Sequence, residues 1–397
     1  MSSAAVATPP PAAGVGSSTP GTAGQQQQQQ PHIPSGQNPH LSPAEMRYII
    51  EGCVNDMRSD GRSVRDFRQY GITPTSSSST SSSSVSTAAM SSSAPLVLSN
   101  GSSRVTLPGS DTDVLCSVRA ELVVPSALHP NEGAVELNVG LLPSAASVAG
   151  SDNRRRRTEE MEIAAILTDL LLPHVVDRSE LCVIPGKYVW KLNVDVMVLT
   201  CDGNVVDVCA LAIRSAIRST VLPMVTPVAK AGAAGSKEDG ESGGGGSGKA
   251  SDDFVVDGDI AKASVPPGAE SCPVVITVFV LDKERVGKGS SGGSVFIVDA
   301  QSDEEFCSST RISVSVDPSG SICGIYKHGS APALGDEGNY SGTLQAARLM
   351  DLTTLAASTS KAVFEMMDAP SAIGGDGIGA MGGASSDDLL KGHFELR

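Results

Sequence analysis

Residues 113–124 read DVLCSVRAELVV. Val114, Cys116, Val118, Ala120, Leu122 and Val124 alternate with Asp113, Leu115, Ser117, Arg119, Glu121 and Val123. A period of two held over that length describes one long, half-buried strand. Pro130-Asn131-Glu132-Gly133 supplies a turn, and Val135, Leu137, Val139 and Leu141 alternate again, which predicts an antiparallel meander. Upstream, 104–107 reads as a further strand. Ser42-Pro43-Ala44-Glu45 opens a helix: a hydroxyl at the cap, a proline at the first helical position and a glutamate three residues past the cap. Met46, Ile49, Ile50, Cys53, Val54 and Met57 then give that helix an apolar face over 43–57.

Downstream of the meander, Ile163, Ile166, Leu167, Leu170 and Leu171 mark a second amphipathic helix ending at Pro173. The segment 181–184 and the alternation of Trp190, Leu192, Val194, Val196 and Val198 read as two more strands. Asp202-Gly203-Asn204 turns the chain into a helix carrying Val208, Ala212, Ile213 and Ile217. This α+β unit ends near Pro227. A second set of strands follows at 274–281, 295–298, 312–316 and 322–326, and then a long helix over 343–367. Strands closed by a terminal helix occur twice, which predicts two related α+β domains.

Four stretches, 1–40, 75–93, 229–253 and 370–385, are so rich in Ser, Gly, Ala, Gln or Pro that they bury too little apolar surface to offset their ordering entropy. The first reads as a disordered tail, and the second as an expanded hairpin loop.

The 397 residues suffice for a large core without covalent staples. The eight cysteines are scattered with no C-x-x-C, and only six histidines are present, so metal-ligand spacing is missing and a reducing compartment is expected. No apolar run reaches the length of a spanning helix, and the N-terminus lacks the basic and apolar regions of a secretory signal. Neither a cofactor nor a membrane is expected as a partner. The formal charge of −15 argues against indiscriminate binding to nucleic acid, yet leaves room for a local basic groove.

Among candidate sites, Gly287-Lys288-Gly289-Ser290-Ser291-Gly292 satisfies G-x-G-x-x-G as a string. A strand follows it, not the helix whose N-terminus would hold phosphates, so it reads as a hairpin connection. Glu304-Glu305, with Asp299 and Asp303 nearby, reads as a solvated acidic loop, or less readily as a cation or acid/base site. Arg154, Arg155, Arg156 and Arg157 form the sharpest charge feature. They stand at a helix start, where the dipole disfavours cations, so a phosphate backbone on one side, or a solvated loop or targeting patch on the other, accounts for them. With one Trp, five Tyr and seven Phe, stacking platforms for bases are scarce, and any RNA contact falls mainly on the backbone.

Arg58-x-Asp60-Gly61-Arg62 with Arg68, Gly101-Ser102-Ser103-Arg104-Val105, Pro130-Asn131-Glu132-Gly133, Asp202-Gly203-Asn204, and Val298-Asp299-Ala300 leading into Glu304-Glu305 occur in an order that resembles the RNase PH superfamily, and within it the ring subunits of the RNA exosome. The likeness implies an α+β fold of two RNase PH-type domains: a ribosomal-protein-like β-α-β first domain over 41–227, with an insert at 75–93, and a smaller α+β second domain over 271–369. The segments 1–40, 228–270 and 370–397 are then tail, linker and tail. It also implies partnership with sister RNase PH-like ring subunits, cap subunits, an associated hydrolytic nuclease and RNA, in the nucleus, nucleolus and cytoplasm, for 3′-to-5′ RNA processing that includes ribosomal RNA.

Active members of that superfamily hold inorganic phosphate with a G-[GA]-T-R turn at a helix start and use acidic residues of the second domain. The matching turn here is Gly203-Asn204-Val205, and Arg311 stands where a further aspartate resembles the active pattern. Valine cannot donate a charge-assisted hydrogen bond to phosphate. The resemblance therefore implies no catalytic residues, no cofactor or metal ligands, and RNA binding by the four arginines. The alternative is an active phosphate-dependent exoribonuclease.

Overall fold

The computed structural model of the chain describes residues 41–75, 99–107, 111–145, 153–228, 254–282, 294–328, 344 and 346–368. The expected tails, most of the 75–93 insert, the 229–253 stretch and the 287–292 glycine string lie outside the described residues.

Helix α1 (Pro43–Val54) opens with the capping box read from sequence: Glu45 N–H donates to Ser42 Oγ, and Ser42 N–H donates to Glu45 Oε2 at 2.6 Å. It stops short of Met57, which is exposed. Asp56 adopts a positive φ, and its carboxylate accepts from the Ser63 hydroxyl and the Val64 N–H, so a local turn takes over from the helical ladder.

Six strands then build the first sheet: β1 (Gly71–Thr75), β2 (Gly101–Thr106), β3 (Asp113–Val123), β4 (Ala134–Leu141), β5 (Cys182–Ile184) and β6 (Tyr188–Thr200). Their order is β1-β2-β3-β6-β4, with β5 also on β6. The long alternating strand is β3, and Val114, Cys116 and Val118 are fully buried. The meander expected between β3 and β4 does not form. β4 instead pairs with β6 in parallel, Val135 opposite Leu192 and Leu141 opposite Val198. The connecting helix α2 (Asn153–Leu170) buries Ile163, Ile166, Leu167 and Leu170 as the crossover of a β-α-β unit. Alternation specifies which face of a strand is buried but not the direction of its neighbour.

Helix α3 (Val205–Ser219) is buried on every side from Val206 to Ile217 because it lies between two sheets. One face packs on β2 and β3, the other on the strand Val274–Asp282 of the second sheet. Each fully buried side chain such as Leu211 or Ile217 contributes about 1.5–3 kcal/mol of burial free energy. After the short pair β7 (Val225–Pro227) and β8 (Phe254–Val256) comes the second sheet, built from β9 (Val274–Asp282), β10 (Ser294–Val298), β11 (Thr310–Val316) and β12 (Ile322–Lys327) in the order β10-β9-β11-β12. Helix α4 (Ser302–Cys307) follows β10, and helix α5 (Ala346–Asp368) packs on β9 and β11. Helix α1, though first in the chain, packs on α4 and β10, where Ile50 and Cys53 join Phe279, Leu281 and Ile297.

Candidate functional site

The turn before α3 meets the segment between β10 and α4. Gly203 has φ +76, and a Cβ there would lie 2.6 Å from the Ala300 carbonyl oxygen, so only glycine permits this approach. Across the contact, Asp299 takes a left-handed conformation, φ 48, and is fully buried. Its Oδ1 accepts from Arg68 Nη2 at 2.8 Å, Tyr70 Oη at 2.9 Å and Asn204 Nδ2 at 3.0 Å. Its Oδ2 accepts from the Arg68 backbone N–H at 2.7 Å, Arg68 Nε at 2.9 Å and Arg62 Nη1 at 3.2 Å. Burial would raise this carboxyl, but the Arg68 guanidinium and the Asn204 amide together hold it below the usual carboxylate range.

Glu304 is also buried. It forms a bidentate ion pair with Arg58, which donates as well to the carbonyl oxygens of Val298 at 3.1 Å and Asp299 at 2.8 Å. The reading of Glu304-Glu305 as a solvated acidic loop is therefore corrected for Glu304: it lies on α4, 1% exposed, against a guanidinium 246 residues away in sequence. Asp303 is exposed, as expected of a solvated group.

Glu305 faces α3. The first turn of a helix carries unpaired N–H groups and a positive dipole end, a natural seat for an anion. Here Asn204 is the N-cap in a left-handed conformation, and its side chain does not cap the helix. Its backbone N–H donates to Glu305 Oε2 at 3.0 Å, while Glu305 Oε1 pairs with Arg311. The protein's own carboxylate thus stands at the helix N-terminus, and the nearest cation on β11 is engaged with it. Val205, next along the turn, offers no donor beyond its backbone.

Inside α3, Asp207 is fully buried and accepts from Thr277 N–H at 2.8 Å, Thr277 Oγ1 at 2.6 Å and Asn204 Nδ2 at 3.0 Å. Burial pushes its carboxyl up to about 7 against these three donors. The chain continues from Thr277 Oγ1 to Ser313 Oγ at 2.7 Å and from there to His328 Nε2 at 2.7 Å. Burial pushes the His328 imidazole down to about 3, so it is neutral near pH 7. A cavity of about 110 Å3 opens beside this chain, between α2, the α3 N-terminus, β9 and β11.

The four arginines occupy the first turns of α2. Arg154, Arg155 and Arg157 are exposed; Arg156 is half-buried, its Nε 3.7 Å from Glu160 Oε1. Glu159 and Glu162 of the same helix line the cavity. The arginines thus flank the site without lining it.

Among the described residues, no group of three His, Cys, Asp or Glu side chains is arranged to hold a metal ion, and no helix is long and apolar enough to cross a membrane. All eight cysteines are free thiols. Sequence reasoning named Asp299, Glu304, Asn204 and Arg311. It missed Asp207, Thr277 and His328, whose only sequence signal is a polar residue inside an otherwise apolar helix or strand.

Residues 75–223 match domain 1 of the 3′ exoribonuclease family, RNase PH, and residues 272–337 match its domain 2. The chain is 28% identical over 295 residues to the exosome complex component Rrp42 of Sulfurisphaera tokodaii, covering 74% of this chain and 86% of that protein. It is 21% identical over 295 residues to the exosome complex component RRP45 of Saccharomyces cerevisiae, covering 74% and 82%. Among solved structures, the Archaeoglobus fulgidus exosome with RNA bound to the active site includes a chain that superposes with a TM-score of 0.54 at 20% identity, covering 81% of this chain and 98% of that one.

Proposed function

Because the chain belongs to the 3′ exoribonuclease family and carries both RNase PH domains, we propose that it is a ring subunit of an RNA exosome that shapes the RNA path without cleaving RNA. Sister ring subunits, cap subunits, an associated hydrolytic nuclease and RNA are the partners that follow from that membership. Processing of ribosomal RNA, in nucleus, nucleolus and cytoplasm, belongs to the same reading. The four arginines at the start of α2 contribute positive charge to the RNA path.

One observation supports the non-catalytic half of this reading above all others. The Asn204 N–H at the α3 N-terminus is already bonded to Glu305, and Arg311 is paired to the same carboxylate. A phosphate ion entering there meets a negative charge where its attractor should be. Loss of one such electrostatic group costs about 10²–10³ in rate, and here the helix terminus and its cation are engaged together. The test is incubation of the purified chain with 3′-labelled RNA and inorganic phosphate. No nucleoside diphosphate is expected; its release would restore the alternative, a phosphate-dependent exoribonuclease.

A further inference from the structure

Thr158 is the one hydroxyl residue between Asn153 and Glu162, and it directly follows the four arginines. Nowhere else in the chain do two adjacent basic residues stand three and two positions before a serine or threonine. The structure places this hydroxyl where a second protein can reach it. Thr158 is exposed, and its Oγ1 donates at 3.1 Å to the Arg154 carbonyl oxygen of its own helix, a bond that ties it to no other element.

An enzyme that modifies a hydroxyl takes its substrate in extended form, so the start of α2 must open. Little opposes that. From Asn153 to Thr158 every residue but Arg156 is exposed, and the buried face of α2 begins only at Ile163. Unwinding 153–158 therefore strips no apolar side chain from the core. The four cations oppose the positive end of the helix dipole and threonine is a modest helix former, so these are the turns that α2 holds least well. The Arg156–Glu160 pair, 3.7 Å apart and partly solvated, adds little.

Helix geometry also fixes what a phosphate there would do. Arg155 and Arg154 lie three and four positions before Thr158, on its side of α2. A phosphate monoester carries about −1.5 to −2 charge and forms charge-assisted hydrogen bonds with both guanidinium groups, while Glu162, four positions on, repels it toward them. The positive charge of the run is thereby cut roughly in half.

We propose that Thr158 is a phosphorylation site for an arginine-directed protein kinase, and that its phosphate withdraws the positive charge which the run offers to RNA. The second half rests on the reading of the run as part of the RNA path. The kinase brings a nucleoside triphosphate, and Thr158 Oγ1 attacks its terminal phosphorus. The new O–P bond forms as the bond to the bridging oxygen breaks, its electron pair leaving on the diphosphate, and the hydroxyl proton passes to the base of the kinase.

The test treats the assembled ring with magnesium ATP and the catalytic subunit of cyclic-AMP-dependent protein kinase. Tandem mass spectrometry should find a phosphate on Thr158, and at no position of α2 in a Thr158→Val ring, which keeps all four arginines. On phosphorylation, affinity for single-stranded RNA in about 0.1 M salt should fall about tenfold or more, and the log–log salt slope should shrink by about 1.4, as for two lost phosphate contacts. The Thr158→Val ring should bind RNA like the wild type and ignore the kinase. No phosphate at Thr158, or an affinity that the phosphate leaves unchanged, would overturn the proposal. A ring with Arg154, Arg155, Arg156 and Arg157 all replaced by alanine separates the two failures. A shallower slope in that ring, with no response of the wild type to the kinase, sinks the phosphorylation switch alone. An unchanged slope sinks the RNA-path reading and the switch with it.

Discussion

The backbone N–H of Asn204 donates to Glu305 Oε2 at 3.0 Å, joining the N-terminus of α3 to α4 across 101 residues of sequence. The contact places a fixed negative charge where the helix dipole is most positive, which stabilises the junction of the two sheets and shields the site from outside anions. Stability therefore favours the carboxylate that anion binding at the same turn would have to displace.

Removing that carboxylate should reopen the anion seat. Glu305→Ala frees both the Asn204 N–H and the Arg311 guanidinium, at a stability cost of about 1.5–3 kcal/mol for the lost charged hydrogen bonds. Inorganic phosphate at tenfold its dissociation constant would then return about 1.4 kcal/mol as a raised melting temperature. The wild-type chain should show no such rise in the same thermal scans against chloride of equal ionic strength.

The Arg58–Glu304 pair makes a different prediction, because both side chains are buried. Glu304→Gln strands the guanidinium and should cost about 3–5 kcal/mol in denaturant unfolding. The double replacement Arg58→Met with Glu304→Leu should cost much less than the sum of the single changes. Additive losses would show that the two groups act independently.

What is legible in the sequence follows a physical division. Patterns local to the chain are self-sufficient: the Ser42–Glu45 capping box, the β3 alternation and the Asp202-Gly203-Asn204 turn all form where expected. Pairings across long separations are not. Nothing near Glu304 in sequence announces Arg58, and the neighbours Asp303 and Glu305 disguise it as one of a solvated run. The apolar periodicity of β4 is equally compatible with β3 or β6 beside it; the parallel choice is imposed by the α2 crossover. Asp207, flanked by valines inside a buried helix, is explained only by Thr277 and Asn204, which no spacing rule connects to it.

Acid and base should act on the core with opposite signs through Asp299 and Asp207. The Asp299 carboxyl is held below its unfolded value, so the stability it contributes is present above that value and lost as pH falls through the folded one. Asp207 rises from 3.8 to about 7, so the folded state binds the extra proton between those values. Its penalty grows with pH across that window, is complete above about pH 7, and amounts to on the order of 4 kcal/mol. Unfolding free energies measured from pH 5 to 8 should fall more steeply for the wild type than for Asp207→Asn, whose amide has no proton to lose.

The four arginines can be tested against a purely structural role because the two roles move stability and binding in opposite directions. Four cations in the first turns of α2 oppose its dipole, and each replacement of an exposed one by alanine should stabilise the helix by about 0.3–1 kcal/mol. RNA affinity of the assembled ring should nonetheless fall, with the log–log salt slope shrinking by about 0.7 for each phosphate that is no longer neutralised. Arg156 lies half-buried near Glu160, so its single replacement should change that slope less than replacement of the exposed Arg155 or Arg157. A quadruple alanine variant that melts higher and binds RNA with a shallower salt dependence fits a role in the RNA path. One that melts higher with an unchanged slope would leave the run as a solvated surface.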